Sequence, residues 1–114
     1  MSNNAIKTTK KYFELSNQGD LTAIKALIHP KAIYSSINTG MYFGIDDIMT
    51  MMNNFFAQYS DLEWQIDDLK ANSANITEVA FTGRFIDHQG SIIKRTGTEL
   101  LVVDNGLIRL IEVR

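Results

Sequence analysis

The sequence predicts an α+β fold in which three N-terminal helices pack on a mainly antiparallel sheet. In the first half of the chain, apolar residues recur at helical spacing. In the second half, apolar and polar residues alternate, as they do in strands with one covered face. Helices that precede a run of strands are typical of α+β domains. The chain has 114 residues, so we expect residues 1–114 to form a single domain.

Three segments of the first half have helical patterns. The first covers residues 4–18, where one stripe at helical spacing consists of Ile6, Thr9, Phe13 and Ser16. A short second helix follows its cap, Asp20, and ends at His29 and Pro30, because a proline pushes the preceding residue out of the helical region. The third covers residues 45–58 and carries acidic side chains in its first turn, where they suit the helix dipole.

Strand patterns dominate the rest of the chain. The predicted strands cover residues 32–37, 62–67, 76–86, 91–104 and 107–113. Residues 38–40 are expected to form a turn or loop after the first strand. Asn105 and Gly106 predict a tight hairpin between the last two strands. The last four strands therefore form an antiparallel meander.

Charge and composition exclude several classes of function. The net charge of -2 argues against nucleic-acid binding, which needs a basic face. The chain has no cysteine, and His29 and His88 lack metal-ligand spacing, so we predict no metal site. No P-loop or dinucleotide-binding glycine motif is present, and we expect no cofactor.

The hydropathy pattern predicts a cytoplasmic protein with no membrane partner. No apolar run approaches the ~20 residues that a transmembrane helix needs. Residues 1–11 are polar and lack the apolar core of a signal peptide.

The face of the predicted sheet that the helices leave uncovered is unusually apolar. It carries Ile92, Leu100 and Val102 on one strand. Monomeric proteins rarely expose large apolar patches. We therefore expect a homodimer that forms through this sheet face.

Three segments together resemble the nuclear transport factor 2-like superfamily, which includes SnoaL-like and ketosteroid-isomerase-like domains. They are YFELSNQGDLTAIKALIHP (12–30), GIDDIMTMM (44–52) and GTELLVVDNGLIRLIEVR (97–114). The resemblance implies a curved, cystatin-like sheet that forms a cone around an apolar pocket. Members include isomerases, cyclases, dehydratases, binding modules and association domains, so the fold alone does not give the activity.

The resemblance also implies three candidate catalytic residues. Tyr12 and Glu99 fall where ketosteroid isomerase has its tyrosine and its neutral acid, and Ser36 falls at the position of the general base. A serine cannot take a proton from carbon without an activating partner, and no histidine lies near it in sequence. The resemblance therefore supports the pocket and argues against the isomerase reaction.

Two of these candidates also have structural interpretations. Tyr12 could be an amphipathic core residue. Glu99 shares a strand face with apolar neighbours, so its pKa is raised by burial unless it forms an ion pair with Arg95 or another arginine. A two-residue turn at the last hairpin places Glu99 opposite Glu112, whereas a three-residue bulged turn places it opposite Ile111.

Apolar and aromatic side chains are predicted to line the pocket. They are Tyr34, Phe55, Tyr59, Trp64, Phe81 and Leu101. The leading hypothesis is a protein that binds an apolar or amphipathic small molecule, with cofactor-independent acid-base chemistry as its enzymatic form. The alternative is a dimerisation or association module with a vestigial pocket, whose space is filled by side chains such as Phe81, Phe85 and Trp64.

Overall fold

The computed structural model describes residues 4–114 and contains three helices and six strands in that range. The elements in chain order are α1 (Asn4–Gln18), α2 (Leu21–Leu27), β1 (Ile28–Ser36), β2 (Gly40–Phe43), α3 (Ile45–Ala57), β3 (Tyr59–Ala71), β4 (Ile76–Asp87), β5 (Ile92–Asp104) and β6 (Leu107–Val113). One sheet has the strand order β2-β1-β6-β5-β4-β3. β1 pairs with β6 in parallel and the other pairs are antiparallel, which confirms the predicted α+β fold.

The start of the sheet differs from the prediction. β1 begins at Ile28, directly after α2, so Pro30 lies inside a strand instead of ending a helix. The pairing of β1 with β6 shifts between Ile28 and Ile33. Proline has no N–H to donate to a regular ladder of hydrogen bonds, so within a sheet it is found at such irregularities. The segment after the predicted turn forms β2, a four-residue edge strand that the sequence pattern did not reveal.

The last hairpin follows neither predicted register. Asn105 and Gly106 form a two-residue turn with φ of 51° and 75°, so Asp104 pairs with Leu107. The register then shifts by one residue between Val102 and Val103, and Glu99 lies opposite Val113. Both predicted partners, Glu112 and Ile111, are therefore wrong.

The register shift has a packing reason. The shift leaves Arg109 as an extra, exposed residue in β6, which is a β-bulge. Ile108 and Ile111 on either side of it are both buried. In a regular strand, residues three apart face opposite sides, so only the bulge lets both isoleucines reach the core.

Two side-chain contacts hold α1 against the concave face of the sheet. The Thr9 and Thr77 hydroxyls share a buried hydrogen bond of 2.7 Å between α1 and β4. The Asn17 amide donates to the Trp64 carbonyl at 2.9 Å, and its oxygen accepts from the Trp64 N–H at 2.7 Å. These contacts anchor α1 on both sides of Tyr12.

No helix in residues 4–114 has the length and hydropathy that a membrane span requires.

Candidate active site

The helices and the concave face of the sheet leave a cavity of about 300 Å³. Its wall is mainly aromatic and sulfur-containing, and includes Phe13, Met51, Met52, Phe55, Phe56, Trp64, Phe81 and Phe85. Cavities of this size, in which an aromatic wall is combined with polar groups, are typical of small-molecule sites.

All three predicted catalytic residues line this cavity. Tyr12 comes from α1, Ser36 from the end of β1 and Glu99 from the middle of β5. Their exposed fractions are 7%, 8% and 5%. The structure thus brings together residues that are up to 87 positions apart in sequence.

Glu99 is a buried acid without an ion-pair partner. No salt bridge found within residues 4–114 involves its carboxyl, so the predicted alternative of a pair with Arg95 is wrong. Burial away from water raises the pKa of Glu99 to about 8. The carboxyl is therefore protonated at neutral pH, and a protonated carboxyl can donate a hydrogen bond.

Two tyrosine hydroxyls belong to the same cluster. Burial raises the pKa of Tyr12, and Glu99 and then Tyr34 raise it further. Burial also raises the pKa of Tyr34, with further contributions from Glu99 and Tyr42. Tyr34 was predicted only as a pocket wall; its hydroxyl makes it a third polar group of the site.

These polar groups are directed at the cavity. Among the hydrogen bonds of residues 4–114, none uses the hydroxyl of Tyr12 or Tyr34 or the carboxyl of Glu99. In the same part of the chain, no fully buried side-chain oxygen or nitrogen lacks a partner. The three groups must therefore retain accessible surface, and the cavity that they line supplies it.

Ser36 has no histidine beside it that could activate it as a base. Its hydroxyl accepts a hydrogen bond of 3.0 Å from the Asn38 N–H. Neither histidine lies among the residues that line the cavity. His29 Nδ1 instead accepts from the Lys31 N–H at 3.0 Å, and His88 Nε2 lies 2.7 Å from the Ala57 carbonyl.

Two of the six predicted wall residues do not line the cavity. Tyr34, Phe55, Trp64 and Phe81 line it, whereas Tyr59 and Leu101 do not. Leu101 is 0% exposed and belongs to the packed core. The Tyr59 ring lies 5.1 Å from the ring of Phe55 and 5.3 Å from the ring of Phe85, so it supports the wall from behind.

Two glycines keep the aromatic rings close to the sheet. A β-carbon at Gly97 would lie 2.5 Å from the Arg114 carbonyl oxygen and 3.1 Å from the Phe81 ring, and one at Gly83 would lie 2.7 Å from the Phe85 ring. Both rings therefore occupy the space that a side chain at these positions would take. This close approach leaves the volume above the rings to the cavity.

Comparison with known proteins agrees with this architecture. The family model described as SnoaL-like domain matches residues 9–111. The chain belongs to the SnoaL-like domain family. No functionally curated protein matches the sequence.

Solved structures with low sequence identity share the fold of this SnoaL-like domain. An NTF2-like protein of unknown function from Burkholderia pseudomallei has a TM-score of 0.86 and 17% identity, covering 100% of this chain and 91% of its own. An LEH-like epoxide hydrolase from Mycobacterium tuberculosis has a TM-score of 0.85 and 15% identity, covering 96% and 80%. A hypothetical protein with a ketosteroid isomerase-like fold from Catenulispora acidiphila, in complex with trimethylamine, has a TM-score of 0.84 and 10% identity, covering 94% of this chain and 83% of its own.

The SnoaL-like domain has no evident metal centre in the part that the structure describes. No group of three or more His, Asp or Glu side chains in residues 4–114 is arranged to hold a metal ion. The polar side chains that line its cavity are hydroxyls, the Asn38 amide, the Trp64 indole, two arginines and the carboxyl of Glu99. Proton donation and hydrogen bonding are the chemistry that such groups supply.

Proposed function

We propose that this SnoaL-like domain binds a flat, apolar or amphipathic small molecule and hydrogen-bonds one of its oxygen atoms. The observation that carries the proposal is the cluster of Tyr12, Tyr34 and Glu99, whose polar groups have no protein partner in an apolar cavity. A buried donor without an acceptor is costly. A ligand oxygen placed among these groups removes that cost, while its apolar body contacts the aromatic wall.

The protonation states favour an oxygen that carries or develops negative charge. At neutral pH, Tyr12, Tyr34 and Glu99 are all protonated and can donate. Preorganised donors in a water-poor site stabilise a developing oxyanion. As an enzyme, this domain would therefore carry out cofactor-independent acid-base chemistry in which Glu99 acts as the acid. The fold similarity to an epoxide hydrolase supports small-molecule chemistry in such a cavity.

The alternative of an association module with a vestigial pocket has less support. That function requires side chains such as Phe81, Phe85 and Trp64 to fill the cone. Here the same three side chains form the wall of a cavity of about 300 Å³.

A matched pair of probes tests the binding proposal. 2-Naphthol and naphthalene have the same apolar body, and only the first has an oxygen. We expect isothermal titration at pH 7 to show about 10-fold tighter binding of 2-naphthol, the usual effect of one or two buried hydrogen bonds. Equal affinities would show that the polar cluster does not bind the ligand oxygen, and no binding of either probe would contradict the proposal as a whole.

We also propose a homodimer formed through the outer face of the sheet. An apolar row crosses this face on five strands and consists of Phe43, Ile33, Leu110, Val102 and Ile76, in register. Each of the five is at least partly exposed, and Phe43 is 61% exposed. Of the predicted patch, Val102 lies in this row and Leu100 lies beside it, whereas Ile92 is at the far end of β5.

A charge placed in the apolar row is expected to weaken the dimer. Leu110→Glu should raise the dissociation constant of the dimer about 30-fold, because the carboxylate loses its hydration in an apolar interface. Sedimentation velocity over a range of concentrations measures this change. Lys94→Glu is the control, since Lys94 lies on the same face of β5 far from the row. A wild-type protein that is monomeric at micromolar concentration would refute the dimer.

A further inference from the structure

Arg95 lies on the concave side of β5, on the same strand face as Glu99, and lines the cavity. It pairs with Gly83 on β4, which in turn pairs with Trp64 on β3. Arg95 and Trp64 therefore lie in one row across the sheet, separated by a residue without a side chain. Arg95 is half-buried, in contrast to Arg84, which is exposed.

The guanidinium of Arg95 has no protein partner. None of the salt bridges or hydrogen bonds within residues 4–114 involves it. Arg109 pairs with Asp104 at 3.9 Å, and Arg114 pairs with Glu112 at 2.6 Å. A guanidinium has five N–H donors in a fixed plane that matches a carboxylate or sulfonate. A half-buried guanidinium with unused donors is suited to bind an anion.

The charge of the cavity wall also favours an anion. The whole chain has a net charge of -2. Among the described residues that line the cavity, however, the side chains that can carry a charge near neutral pH are Arg95, Arg114 and Glu99. Glu99 is protonated at neutral pH and Arg114 is paired with Glu112, so Arg95 supplies the uncompensated charge among these side chains, and that charge is positive.

Arg95 and the polar cluster lie at different places in the cavity. Arg95 and Glu99 are four residues apart on one strand, which separates their α-carbons by about 13 Å. The aromatic wall lies between them and includes the Phe81 ring, which packs over Gly97. One ligand can therefore contact Arg95 and the cluster at opposite ends of an apolar body.

We infer that Arg95 binds an anionic group of the ligand, so that the natural ligand is an organic acid with a flat apolar body. Its carboxylate, or another oxyanion, contacts Arg95, and an oxygen at its other end contacts Tyr12, Tyr34 and Glu99. This inference rests on the proposed function, because it assigns a class of ligand to the same cavity.

Two fluorescent probes isolate the contribution of the anion. 8-Anilinonaphthalene-1-sulfonate and N-phenyl-1-naphthylamine have the same aromatic body, and only the first carries a sulfonate. We expect the sulfonate probe to bind the wild-type protein about 10-fold more tightly than the uncharged probe. A charge-assisted hydrogen bond typically contributes a free energy of this size. Displacement of both probes by 2-naphthol shows that they occupy the cavity and not the outer face.

Variants of Arg95 test which residue is responsible. Arg95→Gln should lower the affinity for the sulfonate probe about 10-fold and leave the affinity for the uncharged probe within twofold. Arg95→Lys keeps the charge and should retain part of the preference. Arg84→Gln is the matched control, because Arg84 is an exposed arginine on the neighbouring strand, and this variant should bind both probes as the wild type does.

The possible failures are distinguishable. If both probes bind the wild-type protein with equal affinity, or if Arg95→Gln keeps the preference, the anion inference is overturned and the cavity remains a binding site. If neither probe binds and 2-naphthol does not bind either, both the anion inference and the proposed function are contradicted.

Discussion

Replacing Glu99 by glutamine is expected to remove most of the loss of stability that the wild-type protein undergoes between pH 5 and pH 8. The usual pKa of a glutamate, 4.5, applies to the unfolded chain, and burial raises the pKa to about 8 in the folded protein. Below pH 4.5 the carboxyl is protonated in both states. Between the two values the folded state holds a proton that the unfolded state has lost, so the free energy of unfolding falls as pH rises.

The size of this effect follows from the difference between the folded and unfolded pKa values of Glu99. A tenfold difference in proton affinity corresponds to about 1.4 kcal/mol, so the loss is about 5 kcal/mol once the pH exceeds 8. Urea denaturation of wild-type and Glu99→Gln protein at pH 5, 6, 7, 8 and 9 measures it. The free-energy difference between the two proteins should change by about 1 kcal/mol for each step in pH from 5 to 8 and then level off, because the folded carboxyl also loses its proton near pH 8.

The exposed Glu63 on β3 provides the control for this experiment. Glu63→Gln removes one carboxyl without altering the cavity, and its pH profile should follow that of the wild type. Parallel profiles for the wild type and Glu99→Gln would show that Glu99 is not a neutral acid in the folded protein.

Removing the two tyrosine hydroxyls of the cluster is expected to abolish most of the selectivity for 2-naphthol. Tyr12→Phe and Tyr34→Phe should each lower the affinity for 2-naphthol about 3-fold, and the double variant should lower it about 10-fold. Phenylalanine keeps the ring contacts, such as that of Tyr12 with Phe13 at 5.7 Å between ring centroids. The affinity for naphthalene should therefore stay within twofold of the wild type.

Tyr59 provides a matched control for the tyrosine variants. It packs on Phe55 and Phe85 but does not line the cavity, so Tyr59→Phe should leave the affinity for both probes unchanged. Isothermal titration of each variant with both probes completes the comparison. Equal losses for 2-naphthol and naphthalene would indicate a change in cavity shape and would contradict a hydrogen bond from these hydroxyls.

Much of the fold could be predicted because its signals are local. The helical stripe of α1 and the Asp20 cap, which accepts a hydrogen bond from the Ala23 N–H at 3.1 Å, need only neighbouring residues. The same is true of the two-residue turn at Asn105 and Gly106. β2 was missed because a four-residue edge strand has too few residues to show an alternating pattern.

The candidate site could be predicted only in part. The resemblance to a family pointed to Tyr12, Ser36 and Glu99, which line one cavity. It did not reveal the hydroxyl of Tyr34 or the unpaired guanidinium of Arg95. The interpretation of both residues depends on what surrounds them in the folded chain, and one sequence does not contain that information.

By itself, the sequence determined the order of the three helices and of all strands except β2, the α+β class and the resemblance to a SnoaL-like domain, because periodicity, caps and turns are properties of short segments. The tertiary structure alone decided the bulge at Arg109, the position of Glu99 opposite Val113 and the presence of a cavity. These features depend on how distant strands pair and on how Phe81 and Phe85 pack over two glycines. Such contacts form between segments far apart in sequence, where no local pattern specifies the geometry.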